Sequence, residues 1–496
     1  MHFRRLTSFL VTFTAANGLS PSEWRPQSIY QVMTDRFART DGSTTASCDL
    51  GDYCGGTWKG LINKLDYIQN MGFTAVIVEN LDALTADGSS YHGYWAQDIY
   101  EVNTNFGSAA DLVSLSDALH KRGMYLMVDI VTNHMGYAGC GDCVDYSTFN
   151  PFDKKSYYHP FCLIDYNNHT SMELCWEGDN TVSLPDLRTE DTTVQDMWAT
   201  WIKQLVANFT IDGLRIDSTA EVDKASLKAF ESAAGIYAIG EVFNNNADYV
   251  CDYQGSISGL MNYPLYYNIT SAFSSTSGDI KQLENGINTM KSTCADTSLL
   301  GSFIENHDNP RFPSLTADMA LAKNAIAFQM LADGIPVIYQ GQEQHFSGSS
   351  TPKNREALWT SGYNTAATLY KHIAKLNAIR KLAIEKDEGY LTYNAYPVWT
   401  DEHTIVMRKG GNDTQVIGIF NNLGSSGNAN LTLLATSSGF DAEMEVVDLL
   451  ACEKFTTDEK GDLDVGVKGG VFAASRLFRQ CPRLPRGLWC QIQSGL

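Results

Sequence analysis

Gly213-Leu214-Arg215-Ile216-Asp217 is a short apolar run with an arginine at its centre and an acid at its end. Two further runs close in the same way. Tyr237-Ala238-Ile239-Gly240 leads to Glu241, and Phe303-Ile304 leads through Glu305-Asn306-His307 to Asp308. An acid stranded at the end of a buried strand is costly unless it is paired or used. Three of them on strands that converge on one mouth form a candidate catalytic set, and such carboxylate sets cleave glycosidic bonds. Arg215 lies two residues before Asp217, so strand alternation points both side chains to one face. There the cation favours the ionised, nucleophilic form of Asp217. Glu241 follows an apolar strand, and partial desolvation suits it to the role of general acid.

Strand-like and helix-like segments alternate from about residue 28 to 390. Ser28–Phe37, Thr74–Glu79, Met124–Val131, Gly213–Asp217, Tyr237–Glu241, Gly259–Tyr263, Leu299–Asn306 and Pro336–Gln340 are the eight candidate strands. Several are near-continuous apolar runs, as parallel strands buried on both faces require. Amphipathic stretches such as Leu112–Arg122 and Val194–Phe209 lie between them. This is an α/β pattern that predicts a (β/α)8 TIM barrel, with the active site at the C-terminal ends of the strands. About eighty residues rich in Tyr, Asn, Asp and Cys separate Val131 from Gly213, too many for a simple crossover. They read as a small inserted domain after strand three. Beyond about residue 391, short alternating runs at His403–Arg408, Gln415–Phe420, Asn430–Leu434 and Met444–Leu449 predict a C-terminal antiparallel β-sandwich domain. The expected division is 19–391 for the barrel, interrupted by 134–187, and 392–496 for the β-domain.

Among 496 residues, 57 acids oppose 36 Lys and Arg, for a formal charge of −21. That argues against a nucleic-acid or anionic-membrane partner and suits a secreted enzyme acting on a neutral substrate; a monomer is expected. Residues 1–18 read as a secretory signal: Arg4 and Arg5, an apolar core from Leu6 to Phe13, then Ala15-Ala16-Asn17-Gly18. Export predicts disulfides among the eleven cysteines, with one thiol left over. Cys48/Cys54 and Cys162/Cys175 are plausible pairs. Cys140-Gly-Asp-Cys143 fits a local bridge or loop thiols better than a redox or zinc motif. Asn168, Asn208, Asn268, Asn412 and Asn430 carry the glycan-acceptor pattern. Arg476, Arg479, Arg483 and Arg486 form a basic tail beside Cys481 and Cys490, to which we assign no role.

His134 and His307 sit at strand ends in the expected mouth and can donate hydrogen bonds to sugar hydroxyls. Tyr91-His92-Gly93-Tyr94-Trp95, after Gly88-Ser89-Ser90, reads as a polar-aromatic loop platform for sugar rings.

Asp129–His134, Gly213–Asp217, Gly240-Glu241-Val242 and Glu305–Asp308 occur in the order of the signature regions of the α-amylase family, glycoside hydrolase family 13. The match extends to Ser183–Leu187, Gln340–Glu343 and Asn354-Arg355-Glu356. From about Trp24 to about Phe472 the chain resembles the secreted α-amylases of filamentous fungi. The resemblance implies retaining double displacement on α-1,4-glucans such as starch, glycogen and maltooligosaccharides. It implies Asp217 as nucleophile, Glu241 as acid/base and Asp308 as transition-state stabiliser. His92, Tyr94, His134, Arg215, His307 and Arg355 match substrate-binding positions. It also implies a Cys251/Cys294 bridge and a structural Ca2+ between barrel and insert. Asn133 and Asp186 match its side-chain ligands, and Glu173 and Glu221 match positions that contribute main-chain carbonyls, an oxygen set that suits calcium.

The pattern breaks after the nucleophile, where Ala220 and Glu221 replace the usual Lys and His of the acceptor side. Thr351 stands where an acid lines the donor end, and Glu79-Asn80 replaces Thr-Pro. These changes are expected to alter the ends of the cleft more than its centre. A 4-α-glucanotransferase, a glucose-releasing α-glucosidase and, from another class, a non-catalytic glucan-binding homologue remain the alternatives to an endo-acting α-amylase.

Overall fold

The computed structural model describes residues 18–79, 81–84, 90–468 and 472–475. The signal segment up to residue 17, Asn80, Gly88, Ser89 and the tail with Arg476, Arg479, Cys481, Arg483, Arg486 and Cys490 lie outside the described residues. Eight parallel strands form the central sheet: β1 (Ile29–Val32), β2 (Ala75–Val78), β3 (Tyr125–Val131), β4 (Gly213–Asp217), β5 (Tyr237–Gly240), β6 (Gly259–Leu260), β7 (Gly301–Ser302) and β8 (Ile335–Tyr339). Their order is β6-β5-β4-β3-β2-β1-β8-β7, and a parallel bridge between Met261 and Gly301 joins the two ends into a barrel.

The strand runs read from sequence hold in order but not in length. β1 stops at Val32, and Thr34–Phe37 is a helical turn. β6 ends at Leu260 because Asn262 caps a helix over Tyr263–Phe273, accepting from Leu265 N, with Pro264 in its first turn. β7 is two residues long, so His307 and Asp308 ride on the loop beyond it. Inside the barrel, Trp24 plugs one end, with Ile29, Ile77, Met127, Ile239 and Val337 around it. A Cβ on Gly213 would come within 2.4 Å of the Trp24 ring, so only glycine can start β4 there.

Between β3 and the long helix Thr192–Phe209, the chain leaves the barrel and makes short 3-10 turns, the helix His169–Leu174 and a two-stranded pair, Glu177–Gly178 with Ser183–Leu184. After the barrel, six strands between Tyr396 and Ser475 form one antiparallel sheet, and Asn428–Leu433 pairs separately with Leu463–Lys468. Val406, Ile417, Ile419, Leu433, Val446 and Val465 share the core between them. Strands Tyr396–Thr400, Glu453–Thr456, Leu463–Lys468 and Phe472–Ser475 went unread in the sequence. Among the described residues, disulfides join Cys48–Cys54, Cys140–Cys143, Cys162–Cys175 and Cys251–Cys294, so the CxxC is a local bridge. Among the described residues, no helix is long and apolar enough to cross a membrane.

One buried ion pair fixes the loops above β7 and β8. Arg311, wholly buried, reaches Glu305 Oε1 at 3.0 Å, the Gln340 carbonyl at 2.7 Å and Glu356 Oε2 at 3.0 Å. Its guanidinium also lies over the Tyr339 ring, 4.1 Å from the centroid. Removing one partner of such a pair leaves an uncompensated buried charge. Arg311→Met is therefore expected to destabilise the fold by about 3–5 kcal/mol, read as a lower midpoint in urea unfolding.

Candidate active site

Arg215 organises the mouth of the barrel. In the β3–β4 register Asp129 stands opposite Arg215, and Val131 opposite Asp217. Arg215 NH1 lies 2.9 Å from Asp129 and 2.6 Å from Asp217 Oδ1, while NH2 lies 2.7 Å from Glu241 Oε2. Three buried carboxylates thus share one guanidinium. Burial pushes Glu241 up to about 8; Arg215 pulls against it, while Asp217 and Asp308 add to the rise. Tyr263 donates from its hydroxyl to Glu241 Oε1 at 2.8 Å and receives Asn306 Nδ2 at 3.1 Å. Asp129, also raised by burial, to about 6, accepts from the Tyr94 hydroxyl at 2.8 Å.

Asp308 stands across the cleft. Its Oδ1 meets Arg355 at 3.1 Å and its Oδ2 meets His307 Nε2 at 3.0 Å. Burial opposes its ionisation, but these two partners hold it well below the usual carboxylate range. Arg355 is anchored through Nε to the His307 carbonyl at 3.0 Å and through NH1 to the Tyr91 hydroxyl at 3.2 Å. His307 Nε2 also lies 2.9 Å from the Tyr94 hydroxyl, and Gln31 Nε2 lies 3.1 Å from its Nδ1. His134 fills the third side: Nε2 faces the Tyr94 carbonyl at 3.1 Å and Nδ1 faces Glu177 Oε2 at 3.1 Å.

The expected residues therefore meet, with two adjustments. Tyr91 is buried, its ring under Arg36 at 3.9 Å, so it supports the wall rather than forming an open platform. His92 is buried too, its Nδ1 accepting from Tyr94 N at 3.1 Å and its ring meeting Trp95 edge-on. Burial lowers its pKa to about 3 and keeps it neutral. Glu79 departs further from expectation. It lies under the centre of the site, not at an end: its Oε1 is 3.6 Å from His307 Nδ1, and neither carboxyl oxygen has a hydrogen-bond partner. Burial raises its pKa strongly, which favours the neutral acid. Thr351 bonds weakly to the His307 carbonyl at 3.4 Å.

Sequence reasoning passed over Asp129 as a site residue, although an acid in the middle of the apolar run Tyr125–Val131 is itself a signal. Nothing in the sequence pointed to Tyr263, Gln31, Ser218 or Glu177.

The expected calcium ligands were tested on their own oxygens. One atom of the Asn133 side-chain amide lies 3.1 Å from Asp186 Oδ1 and 3.3 Å from the Glu221 carbonyl oxygen. As nitrogen it donates to both; as oxygen it completes a convergence of three oxygens, which a hard cation satisfies. In the second orientation the amide nitrogen faces Glu177 Oε2 at 3.4 Å, an acceptor. Burial pushes Asp186 up to about 7 despite His159 at 2.6 Å, a cost that a bound cation would offset. Glu173 lies on the helix His169–Leu174, which packs against the turn Thr219–Glu221. No cluster of three or more His, Cys, Asp or Glu suited to a metal occurs among the described residues, since the fitting set uses an amide and main-chain oxygens. The Asn133 amide, Asp186 and the Glu221 carbonyl fit a hard cation such as calcium.

A (β/α)8 barrel with three converging carboxylates at its C-terminal mouth defines a glycoside hydrolase. The α-amylase catalytic-domain family model matches residues 31–233 and 225–371, and the α-amylase domain C model matches residues 397–478. The chain is 52% identical over 463 residues to α-amylase 2 of Schwanniomyces occidentalis, covering 92% of this chain and 91% of that one. It is 50% identical to the α-amylase of Saccharomycopsis fibuligera, covering 90% of each. The solved α-amylase of Malbranchea cinnamomea superposes with a TM-score of 0.90 at 47% identity, over 92% of this chain and 98% of that one. The chain belongs to the α-amylase family.

The partners of Glu241 make its titration testable. The Tyr263 hydroxyl stabilises the ionised carboxylate, so Tyr263→Phe is expected to raise the Glu241 pKa further. Asp308→Asn removes a like charge and is expected to lower it. Carboxyl-labelled NMR titration would read both directions.

Proposed function

We propose that the protein is an endo-acting retaining α-amylase that hydrolyses internal α-1,4 bonds of starch, glycogen and maltooligosaccharides. The reading rests on one observation: Asp217 and Glu241 lie on the two arms of the Arg215 guanidinium. This close approach suits the carboxyl separation of about 5–5.5 Å in retaining enzymes better than a gap that admits water between them. Asp217 is the nucleophile. Its carboxylate attacks the anomeric carbon as Glu241 transfers its proton to the glycosidic oxygen, and the leaving glucan departs. Glu241, now ionised, takes a proton from water, which attacks the same carbon and releases Asp217. Asp308, ionised between His307 and Arg355, stabilises the positive charge that develops on the sugar ring. Tyr94, His92, Trp95, His134, Arg355 and His307 orient the ring.

Asn133 and Asp186, with the carbonyls of Glu173 and Glu221, would hold Ca2+. The ion would supply a fixed positive charge between the barrel and the insert, not a reacting group. The disulfides among the described residues support a secreted protein.

A second reading, 4-α-glucanotransferase activity, is favoured by Phe243. Its ring is 53% exposed two residues beyond Glu241 and packs on Tyr263 with centroids 4.6 Å apart. An exposed aromatic beside the acid/base offers a surface for an acceptor sugar. Incubation with maltopentaose separates the two readings: shorter products alone mean hydrolysis, and products longer than the input mean transfer.

Glu241→Gln is expected to lower kcat on maltooligosaccharides by at least about 100-fold, and unchanged turnover would remove the acid/base assignment. Chelation of calcium is expected to lower Tm, with recovery on adding CaCl2 but not equimolar MgCl2. A Tm indifferent to chelator would count against the ion.

A further inference from the structure

Glu177 enters the site from outside the barrel. It sits opposite Leu184 in the two-stranded pair of the insert, and its carboxyl reaches across to the end of β4. Its carboxyl hydrogen bonds fall on Oε2, from Ser218 Oγ at 2.8 Å and with His134 Nδ1 at 3.1 Å, and the Asn133 amide lies 3.4 Å from the same oxygen. Ser218 directly follows Asp217 and takes a left-handed conformation, φ 46° and ψ 43°, that a serine adopts only when its surroundings hold it there. That backbone turn sets the Ser218 hydroxyl between two carboxyl groups, 2.8 Å from Glu177 Oε2 and 3.0 Å from Asp217 Oδ2. A serine hydroxyl carries one hydrogen and cannot donate to both. Asp217 Oδ1 is already held by Arg215 at 2.6 Å, so Oδ2 is the oxygen left for bond formation.

We infer that Glu177 is a positioning residue for the nucleophile: it takes the Ser218 hydroxyl hydrogen and leaves Asp217 Oδ2 without a donor. The inference rests on the reading of Asp217 as nucleophile. In that step Oδ2 forms a bond to the anomeric carbon, the glycosidic C–O bond breaks, and the leaving oxygen takes the Glu241 proton. A hydrogen bond donated to Oδ2 would stabilise the negative charge that the attack consumes, so it would be stronger in the ground state than in the transition state and would slow the reaction. Glu177 draws that donor away. A plain clamp between insert and barrel would hold His134 and Asn133 equally well but would have no reason to depend on the Ser218 hydroxyl.

The test is a mutant cycle on full-length protein, with kcat/KM on maltopentaose, the inhibition constant of maltotriose and Tm measured for each variant. Glu177→Leu removes the acceptor and returns the Ser218 hydrogen to Asp217. It is expected to lower kcat/KM about tenfold, the effect of one hydrogen bond to a charged group, with maltotriose binding within about twofold of the parent. Glu177→Gln keeps an acceptor oxygen and is expected to recover most of that loss. In a Ser218→Ala background, with Ser218→Gly as the alternative suited to the left-handed backbone, Glu177→Leu is expected to change kcat/KM less than about twofold. A tenfold loss that persists without the Ser218 hydroxyl overturns the inference, as does Glu177→Gln falling as low as Glu177→Leu. Asp217→Asn separates the layers. If that variant still turns over, the nucleophile assignment fails; if it is inactive and the Ser218 dependence is missing, only the role of Glu177 fails.

Discussion

A single buried guanidinium at the barrel mouth sets the terms for the rest of the site. Arg215 is almost wholly buried and is met by Asp129, Asp217 and Glu241, each of which would be costly to bury alone. Its position follows from backbone registration. β3 and β4 pair so that Asp129 faces Arg215, and alternation along β4 returns Asp217 to the same side. Glu241 joins because β5 ends at Gly240, one residue short, so the acid falls at the same height. Asp129, Asp217 and Glu241 are thus placed by the barrel's hydrogen-bond ladder, whereas Asp308 and the partners of these acids come from loops.

That division explains what the sequence made legible. Asp217, Glu241 and Arg215 were readable because strand periodicity fixes where each side chain points. Asp308 and His307 were readable as residue types in order, but their strand was not: β7 lasts only Gly301–Ser302, and the acid is set by the loop that Arg311 and Glu305 tie down. The helix beginning at Tyr263 was mistaken for strand because Met261-Asn262-Tyr263 continues an apolar run, and only the Asn262 cap marks the change. Tyr263 itself, the hydrogen-bond partner of Glu241, carries no local signature. Glu177 was illegible for a different reason. Its partners lie 41 and 43 residues away in sequence, and one Glu in a polar insert looks like any solvated acid.

The insert has more to do than enlarge the cleft. It contributes Asp186 to the oxygen set around Asn133, His159 behind Asp186, and Glu177 to the neighbour of Asp217. Asn133 and His134 are adjacent just beyond β3, so one turn of chain faces the oxygen set with one side chain and Glu177 and Tyr94 with the next. Any shift of the insert is therefore felt at both. Ala220 and Glu221 belong to the same seam: the first buries its side chain and offers its carbonyl to the Tyr253 hydroxyl at 3.2 Å, and the second faces Asn133 through its own.

The glutamates that crowd the mouth have a common physical consequence. Glu79, Glu177 and Glu221 lie around a centre that holds Asp129, Asp217, Glu241 and Asp308, and the buried Arg215 and Arg355 face these acids. Low-dielectric surroundings do not tolerate that many uncompensated charges, so burial must leave protons on some of the acids. Glu79, buried and without a hydrogen-bond partner, is raised strongly; Glu221 is raised by burial and then by Glu177, Glu241 and Asp217. Asp308 escapes because His307 and Arg355 both touch it. Glu241, which shares Arg215 with two other acids, keeps a proton for longer than a solvated glutamate would. The contrast between Glu241, which holds its proton, and Asp308, which gives it up, therefore follows from how few cations serve how many buried carboxyls, and from which of them each cation reaches.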